Sequence, residues 1–365
     1  MAPRVVGGVF VADVEMGTHS SLIALPSQHP IVPWPAKDWH RGDMPAAIDP
    51  RGFQRLLDVA FAGSDGPVGS THALLIAHHG RLLFEQYGPD HSPESQHLSW
   101  SVAKSVLHAF IGTLVRDDIL DLDSPTGLPH WQQDQRKDIT LRDLLAMRSG
   151  LSWVEDYVDD SVSDVIEMLF GSGLANHGAF SAAQPASHPS GVQWNYSSGT
   201  SNIIADISRR ALNLTDEASF RRALQERLFT PLSMTSADPG FDASGNFVAS
   251  SYLHASAEDY LRFGHFYLRD GVWANERLLP PGWVDLARTT HATEEETGMG
   301  YGHHWWTKPD DFGTFAASGY DGQRIQIVPA MDLVFVRFGK TEQDDLPALN
   351  QWYEDLVEHL RPLAR

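Results

Sequence analysis

At 365 residues, 42% hydrophobic and with eleven tryptophans, the chain can bury a sizeable core, as one large domain or two intimately built ones, and is too apolar for wholesale disorder. A formal charge of −20 argues against nucleic acid or an anionic membrane surface as partner, and the lack of cysteine removes disulfides, cysteine nucleophiles and thiolate metal sites. There is no apolar run of the roughly eighteen residues a membrane span needs, and the N-terminus lacks the apolar core and cleavage site of a signal, so a cytoplasmic protein is expected.

Residues 1–48 are rich in proline and carry Trp34 and Trp39, which want burial, so they read as an extended arm rather than a linker. Asp49-Pro50 opens a short helix through Phe53, Leu56, Leu57, Val59 and Ala60, with the aspartate as its cap. After a loop at Gly63–Gly69, the apolar runs His72–Ala77 and Leu82–Tyr87 meet at His79-Gly80 and predict a β-hairpin. A helix starts near Ser99. A turn-rich exit at Asp117–Pro125 leads to another helix over Ile139–Met147, capped by Thr140 and stopped before Ser149-Gly150.

Residues 151–195 mix loop with an amphipathic helix over Val162–Phe170, and Ile203–Ala211, Phe220–Leu228 and His254–Leu268 read as further helices. Gly302–Thr307, Thr314–Ser318, Arg324–Val328 and Leu333–Phe338 are short β-like runs, and Leu346–Leu360 closes the chain as an amphipathic helix. Strands at both ends with helices between imply one mixed α/β (α+β) unit. In it a sheet domain, residues 49–100 and 251–365, is interrupted by a mainly helical domain, residues 101–250.

The stretch Ser99-Trp100-Ser101-Val102-Ala103-Lys104-Ser105 reads as a first helical turn, and positions i and i+3 share a face, so the Ser101 hydroxyl and Lys104 ammonium can meet. Val102, Val106, Leu107, Phe110, Ile111 and Leu114 keep a helical apolar period, so the segment should be buried. A lysine beside a buried stripe must find a partner or lower its pKa, and either suits a catalytic base. Ser-x-x-Lys is expected about once by chance at this length. The chain has only five lysines, however, and only Lys104 adjoins a long apolar helical pattern. Snorkelling from a helix end is the plain alternative.

Such a pair needs a third group to carry a proton to the leaving group and to activate water. Tyr196, in the polar turn Gly191–Asn202, is the candidate, and a nearby ammonium should ease its ionisation. Its plain alternative is a tyrosine that anchors the loop. No Gly-x-Ser-x-Gly elbow or His-Glu-x-x-His spacing occurs, Gly298-x-Gly300-x-Gly302 reads as a bend into a strand, and Glu294–Glu296 reads as a solvated loop.

Ser101-Val102-Ala103-Lys104, Tyr196-Ser197-Ser198 and Ser318-Gly319-Tyr320-Asp321-Gly322-Gln323 occur in that order, together with Leu144–Leu151. Over residues 50 to 360 they resemble the serine β-lactamase/penicillin-recognising superfamily, in its class C, esterase and 6-aminohexanoate-dimer-hydrolase branch. The resemblance implies a β-lactamase-like fold, an antiparallel sheet flanked by terminal helices plus a largely helical insert, with the active site between the two. It implies Ser101 as acylated nucleophile, Lys104 as its base and Tyr196 as proton relay. It also implies an oxyanion site formed by the backbone N–H groups of Ser101 and Tyr320. Tyr157 and Trp306 fall where that branch has substrate-contacting aromatics.

Three departures bear on substrate. Ser198 replaces the usual asparagine, the strand Phe315–Gly319 lacks the Lys-Thr-Gly cation, and Asp321 stands where amide hydrolases of the branch often carry histidine. A missing cation and an added carboxylate disfavour a β-lactam or D-Ala-D-Ala acid end, and a compact or amine-bearing ester or amide fits better. The expected activity is thus a carboxylesterase or linear amidase that needs no metal and no cofactor. An acyltransferase, a carboxypeptidase or β-lactamase-like enzyme and a non-catalytic sensor are the alternatives. A small-molecule substrate is expected, no nucleic-acid or membrane partner, and a homodimer is compatible.

Overall fold

The computed structural model describes residues 22–157, 163–295 and 297–364. Its centre is an eight-stranded sheet made of β1 (Ser70–His78), β2 (Arg81–Tyr87), β3 (Ala292–Thr293), β4 (Gly300–Tyr301), β5 (Trp306–Thr307), β6 (Phe315–Gly319), β7 (Gln323–Val328) and β8 (Leu333–Lys340). The spatial order is β2-β1-β8-β7-β6-β5-β4-β3, and every neighbouring pair is antiparallel. The first hairpin therefore closes on the last strand, with Ile76 opposite Phe335 and His78 opposite Leu333.

The uninterrupted apolar run in β1 follows from burial on both faces. Ala73, Leu75 and Ala77 point into one core, with Val334, Val336, Ile325 and Ile327, while Leu74 and Ile76 point into the other, with Leu333 and Phe335. The second core is covered by α1 (Pro50–Ala60), which Asp49 caps by accepting from the Arg51 and Gly52 N–H groups, and by the terminal helix Leu346–His359. The first core is covered by the helix Ala257–Leu268. Gly264 brings that helix close to the sheet: a Cβ there would lie 2.7 Å from both Ile325 Cγ2 and Val334 Cγ2.

Between the hairpin and the C-terminal strands lies the helical insert. At its centre is α2 (Val102–Arg116), in which every residue from Val102 to Leu114 is buried. Around it stand α3 (Leu141–Leu145), with a Thr140/Asp143 capping box, and α4 (Ser198–Ala211). The arm buries Trp39 and ties itself down through Arg262, whose Nε donates to the Pro35 carbonyl at 2.8 Å. Among the described residues no helix is long and apolar enough to cross a membrane.

Several elements differ from their expected bounds for identifiable reasons. The run Gly302–Thr307 is not one strand. β4 and β5 flank a tight loop in which His304 adopts a left-handed backbone, and His303 and His304 turn inward. Gly302 is required there, since a Cβ would lie 2.0 Å from the Ala287 carbonyl oxygen. His254–Leu268 begins as a strand, Leu253–Ser256, because the Ser256 hydroxyl accepts from the Asp259 N–H and starts α5 at Ala257 (Ala257–Leu268). Phe220–Leu228 splits into the helix Glu217–Leu224 and a π-turn over Gln225–Phe229. The helix expected from Val162 starts at Asp164 under a Ser163 cap, and Val162 itself lies outside the described residues.

Candidate active site

Ser101 stands at the N-terminus of α2 on a strained turn. Trp100 has φ 44°, a left-handed conformation that costs a bulky residue on the order of 1–3 kcal/mol. The turn is held from both sides. The Ser99 N–H donates to the Leu253 carbonyl at 2.8 Å, and the Leu253 N–H to Ser99 Oγ at 3.2 Å. On the other side the end of β6 approaches so closely that a Cβ on Gly319 would lie 2.4 Å from the Ser99 oxygen. Ser101 sits at the cap position but makes no side-chain cap bond, so its hydroxyl is turned to Lys104 instead. The Val102, Ala103 and Lys104 N–H groups bond to the Ser99, Trp100 and Ser101 carbonyls, and the Ser101 N–H precedes that series at the positive end of the helix.

Lys104 is 1% exposed and donates to three oxygens: Ser101 Oγ at 3.0 Å, Ser198 Oγ at 2.9 Å and the Ser250 carbonyl at 3.1 Å. Burial pushes its pKa down to about 8, against the opposing pull of the Glu155 carboxylate. It neither snorkels nor lacks partners. It is a desolvated amine with a serine hydroxyl in reach.

Glu155 escaped the sequence reading. Its Oε1 accepts from Ser198 Oγ at 2.5 Å and from the Tyr157 hydroxyl at 2.6 Å, while Oε2 accepts from the Ser198 N–H at 2.8 Å and the Trp153 indole N–H at 2.6 Å. Ser198 thus accepts from the lysine and donates to the glutamate, linking cation and anion through one hydroxyl. The departure at the third position of the Tyr196-Ser197-Ser198 motif has a physical partner in this carboxylate. The only signal for it in the sequence is an acid two residues before Tyr157.

Tyr196 is half-buried, with its ring centroid 4.9 Å from the Lys104 ammonium. The expectation that the ammonium would ease its ionisation is corrected here. Burial first and the Glu155 charge second raise the phenol above its ordinary value, and contact with the Ser101 hydroxyl only partly opposes them. Of the two, Lys104 is the group that sheds its proton first, about half of it near pH 8, while Tyr196 stays a hydroxyl. Removing the Glu155 charge should shift the titration predictably. In Glu155→Gln the raising influence on Lys104 is lost, so the rising limb of kcat/KM against pH, near pH 8 in the parent, should move to lower pH. A pH–rate profile of the two proteins checks this, and a limb that stays in place or moves to higher pH contradicts it.

The remaining candidates form two walls. Tyr320 stands edge-on to Trp100 at 5.6 Å and lies 5.4 Å from Tyr157, whose ring is 41% exposed. Trp306 stacks on Tyr196 at 5.6 Å and meets Tyr301 edge-on at 5.0 Å. The Tyr157 hydroxyl is committed to Glu155. Asp321 occupies a left-handed turn whose carbonyl accepts from the Thr341 N–H at 3.1 Å and from Arg337 Nη1 at 3.3 Å, and burial raises its carboxyl. Behind the site, His304 Nδ1–H donates to the Leu145 carbonyl at 2.8 Å and its Nε2 accepts from the Ser201 hydroxyl at 3.0 Å, which ties the inward loop to α4. Among the described residues no cluster of three or more His, Cys, Asp or Glu side chains is arranged to hold a metal ion.

The beta-lactamase family profile matches residues 69–358. Among curated proteins, the chain is 24% identical over 295 residues to the 6-aminohexanoate-dimer hydrolase of Paenarthrobacter ureafaciens, covering 75% of this chain and 74% of that one. Among solved structures, a Bacillus anthracis protein named provisionally as a 6-aminohexanoate-dimer hydrolase superposes with a TM-score of 0.71 at 20% identity, over 90% of this chain and 89% of that one. A penicillin-binding protein homologue from Caulobacter crescentus gives a TM-score of 0.60 at 16% identity, over 80% and 92%. These structures share the fold. With the profile spanning most of its length, the chain belongs to the beta-lactamase family of serine hydrolases.

Proposed function

We propose that the chain is a cofactor-free hydrolase that cleaves small esters or linear amides through an acyl-enzyme on Ser101. The observation that carries this reading is the buried Lys104 amine, 3.0 Å from the Ser101 hydroxyl with its pKa lowered to about 8. In its neutral form Lys104 takes the Ser101 proton as Oγ bonds to the scissile carbonyl carbon. The oxyanion is held by the Ser101 N–H and by the Tyr320 N–H at the end of β6. The proton passes by way of the Tyr196 hydroxyl to the leaving oxygen or nitrogen, the C–O or C–N bond breaks, and the acyl group stays on Ser101. Water then gives a proton to the same pair, attacks the acyl carbon and releases the acid as Ser101 Oγ regains its proton.

Tyr157, Trp306 and Asp321 line the substrate side in this reading. The absence of a cation in Phe315–Gly319 weighs against substrates that present a carboxylate to that strand. A linear amide is supported by the name of the Paenarthrobacter relative. The test is a fluorophosphonate probe followed by peptide mass mapping, with the label expected on Ser101. Ester turnover that persists in Ser101→Ala, with no label on Ser101 in the parent, would overturn the reading.

A further inference from the structure

Arg337 breaks the pattern of β8. Leu333 and Phe335, on the same face of the strand, pack into the second core, and Arg337 follows them inward with none of its surface exposed. Its partner across the ladder on β7 is another arginine, Arg324, so two cations stand side by side on one face of the sheet. The five N–H groups of Arg337 find five oxygens of neutral groups. Nε donates to Thr71 Oγ1 at 3.2 Å, Nη1 to the Asp321 and Gly322 carbonyls, each at 3.3 Å, and Nη2 to the Val68 and Ser70 carbonyls at 3.0 and 3.1 Å. The backbone makes room for the group: a Cβ on Gly339 would lie 2.6 Å from Arg337 Cζ, and one on Gly322 3.1 Å from Nη1. A guanidinium desolvated among neutral oxygens is costly, and an apolar side chain would suit this core better.

Two of the five oxygens belong to the turn that follows β6. There Asp321 has φ 61° and Gly322 φ 77°, two consecutive left-handed residues of which the first carries a side chain. Every carbonyl of the turn is taken up by the interior. That of Tyr320 accepts from Gln323 Nε2 at 3.1 Å, that of Asp321 from the Thr341 N–H at 3.1 Å besides Arg337, and that of Gly322 from the Tyr353 hydroxyl at 2.9 Å besides Arg337. Tyr353 reaches in from the terminal helix, and the Arg324 guanidinium lies over its ring at 4.5 Å. On its other side the turn abuts the residues around Ser101, with Gly319 against the Ser99 carbonyl and Tyr320 edge-on to Trp100. The guanidinium thus ties this turn to the start of β1.

We propose that Arg337, with Tyr353, positions the second oxyanion donor: guanidinium and phenol lock the Tyr320–Gly322 turn, so that the Tyr320 N–H is preset for the charge that develops on the carbonyl oxygen of a bound ester or amide. The proposal rests on the acyl-enzyme reading above and adds the positioning residues that hold its oxyanion site rigid.

The test compares Arg337→Lys and Tyr353→Phe with the parent and with Leu333→Ala, which opens the same core at the far end of the same strand. Lysine keeps the charge but carries its three donors on one atom, which cannot serve both the turn and the start of β1. Each protein is assayed with p-nitrophenyl butyrate and with 1,1,1-trifluoro-2-heptanone, a ketone to which a serine adds to leave an oxyanion. Arg337→Lys should lower kcat about tenfold or more, keep KM within about threefold and weaken the ketone by a factor similar to that on kcat. Tyr353→Phe should act in the same direction by about threefold, whereas Leu333→Ala should lower the melting temperature and leave kcat and ketone affinity within about twofold of the parent. A folded Arg337→Lys whose kcat and ketone affinity fall no further than those of Leu333→Ala overturns the positioning role. Should Arg337→Lys fail to fold, Tyr353→Phe decides, and an unchanged ketone affinity there overturns the role. Should the parent turn over no ester, the same variants are compared by the rate of Ser101 phosphonylation with a fluorophosphonate. Equal rates overturn the positioning role alone, whereas no reaction at Ser101 in the parent overturns the acyl-enzyme reading and this proposal with it.

Discussion

Ser101→Ala should lower kcat/KM for any acylating substrate by about 10⁴-fold or more, Lys104→Met should lower it by a comparable factor, and the double variant should be little worse than either. The non-additivity is the informative part. In the proposed mechanism Lys104 acts through the Ser101 hydroxyl that it holds at 3.0 Å, so once either member is gone the other has nothing to act on. Methionine keeps most of the lysine's length and removes its charge, so the packing of a residue that is 1% exposed is largely retained. It strips a partner from Ser198 Oγ and from the Ser250 carbonyl, and it leaves Glu155 facing no ammonium. Against that stands relief from desolvating a cation, and the two opposing effects should leave the melting temperature within several degrees of the parent. Measuring kcat/KM and thermal unfolding on all three variants checks both halves. A double variant that is 10⁷-fold or more below the parent, near the product of the two single effects, would show that the groups act independently.

The second large effect is on stability in mild acid. His97, His108, His265, His303 and His304 are each at most 5% exposed, and burial holds all five below the ordinary imidazole value, His97 to about 4 and His304 to about 3. In the unfolded chain they regain a pKa of about 6.5. Below that value the unfolded state binds protons that the folded state refuses, so their contribution to stability is complete above pH 6.5 and is lost as pH falls. Each such histidine costs about 1 kcal/mol between pH 6.5 and 5.5, and five together about 5 kcal/mol, a large share of a typical domain's total. Urea unfolding at a series of pH values should show that slope, and a stability unchanged between pH 7 and 5.5 would mean that these imidazoles are not held neutral. The carboxylates whose pKa is lowered by arginine partners, such as Asp117 and Asp123, enter only at lower pH.

Where chemistry is local, the sequence was a sufficient guide. Ser101 and Lys104 share a helix face by spacing alone, the hairpin announces itself by two apolar runs around His79-Gly80, and Thr140 caps its helix as its position suggests. Glu155 could not be seen, because its role depends on Ser198, 43 residues away, and on the burial that brings the two together. The misjudged ionisation of Tyr196 follows from the same blind spot, since phenolate is opposed first by burial and second by the charge of that carboxylate, both set by the fold. β3, β4 and β5 are two residues each, too short for any period to register, and the inward turn of His303 and His304 is set by Gly302 fitting against Ala287.

The pairing of β1 with β8 also governs the order in which the molecule can be made. Residues 70–78 leave the ribosome early, yet the strand that belongs beside them ends at Lys340. Until then one side of β1 is an open edge with an apolar run on it, while the helices between are already free to gather around α2. Sheet closure across so long a separation makes this a slow-folding topology in which the nascent hairpin must be shielded until Leu333–Lys340 has been made. A chain cut short before Leu333 should accumulate as aggregate rather than as a smaller folded protein.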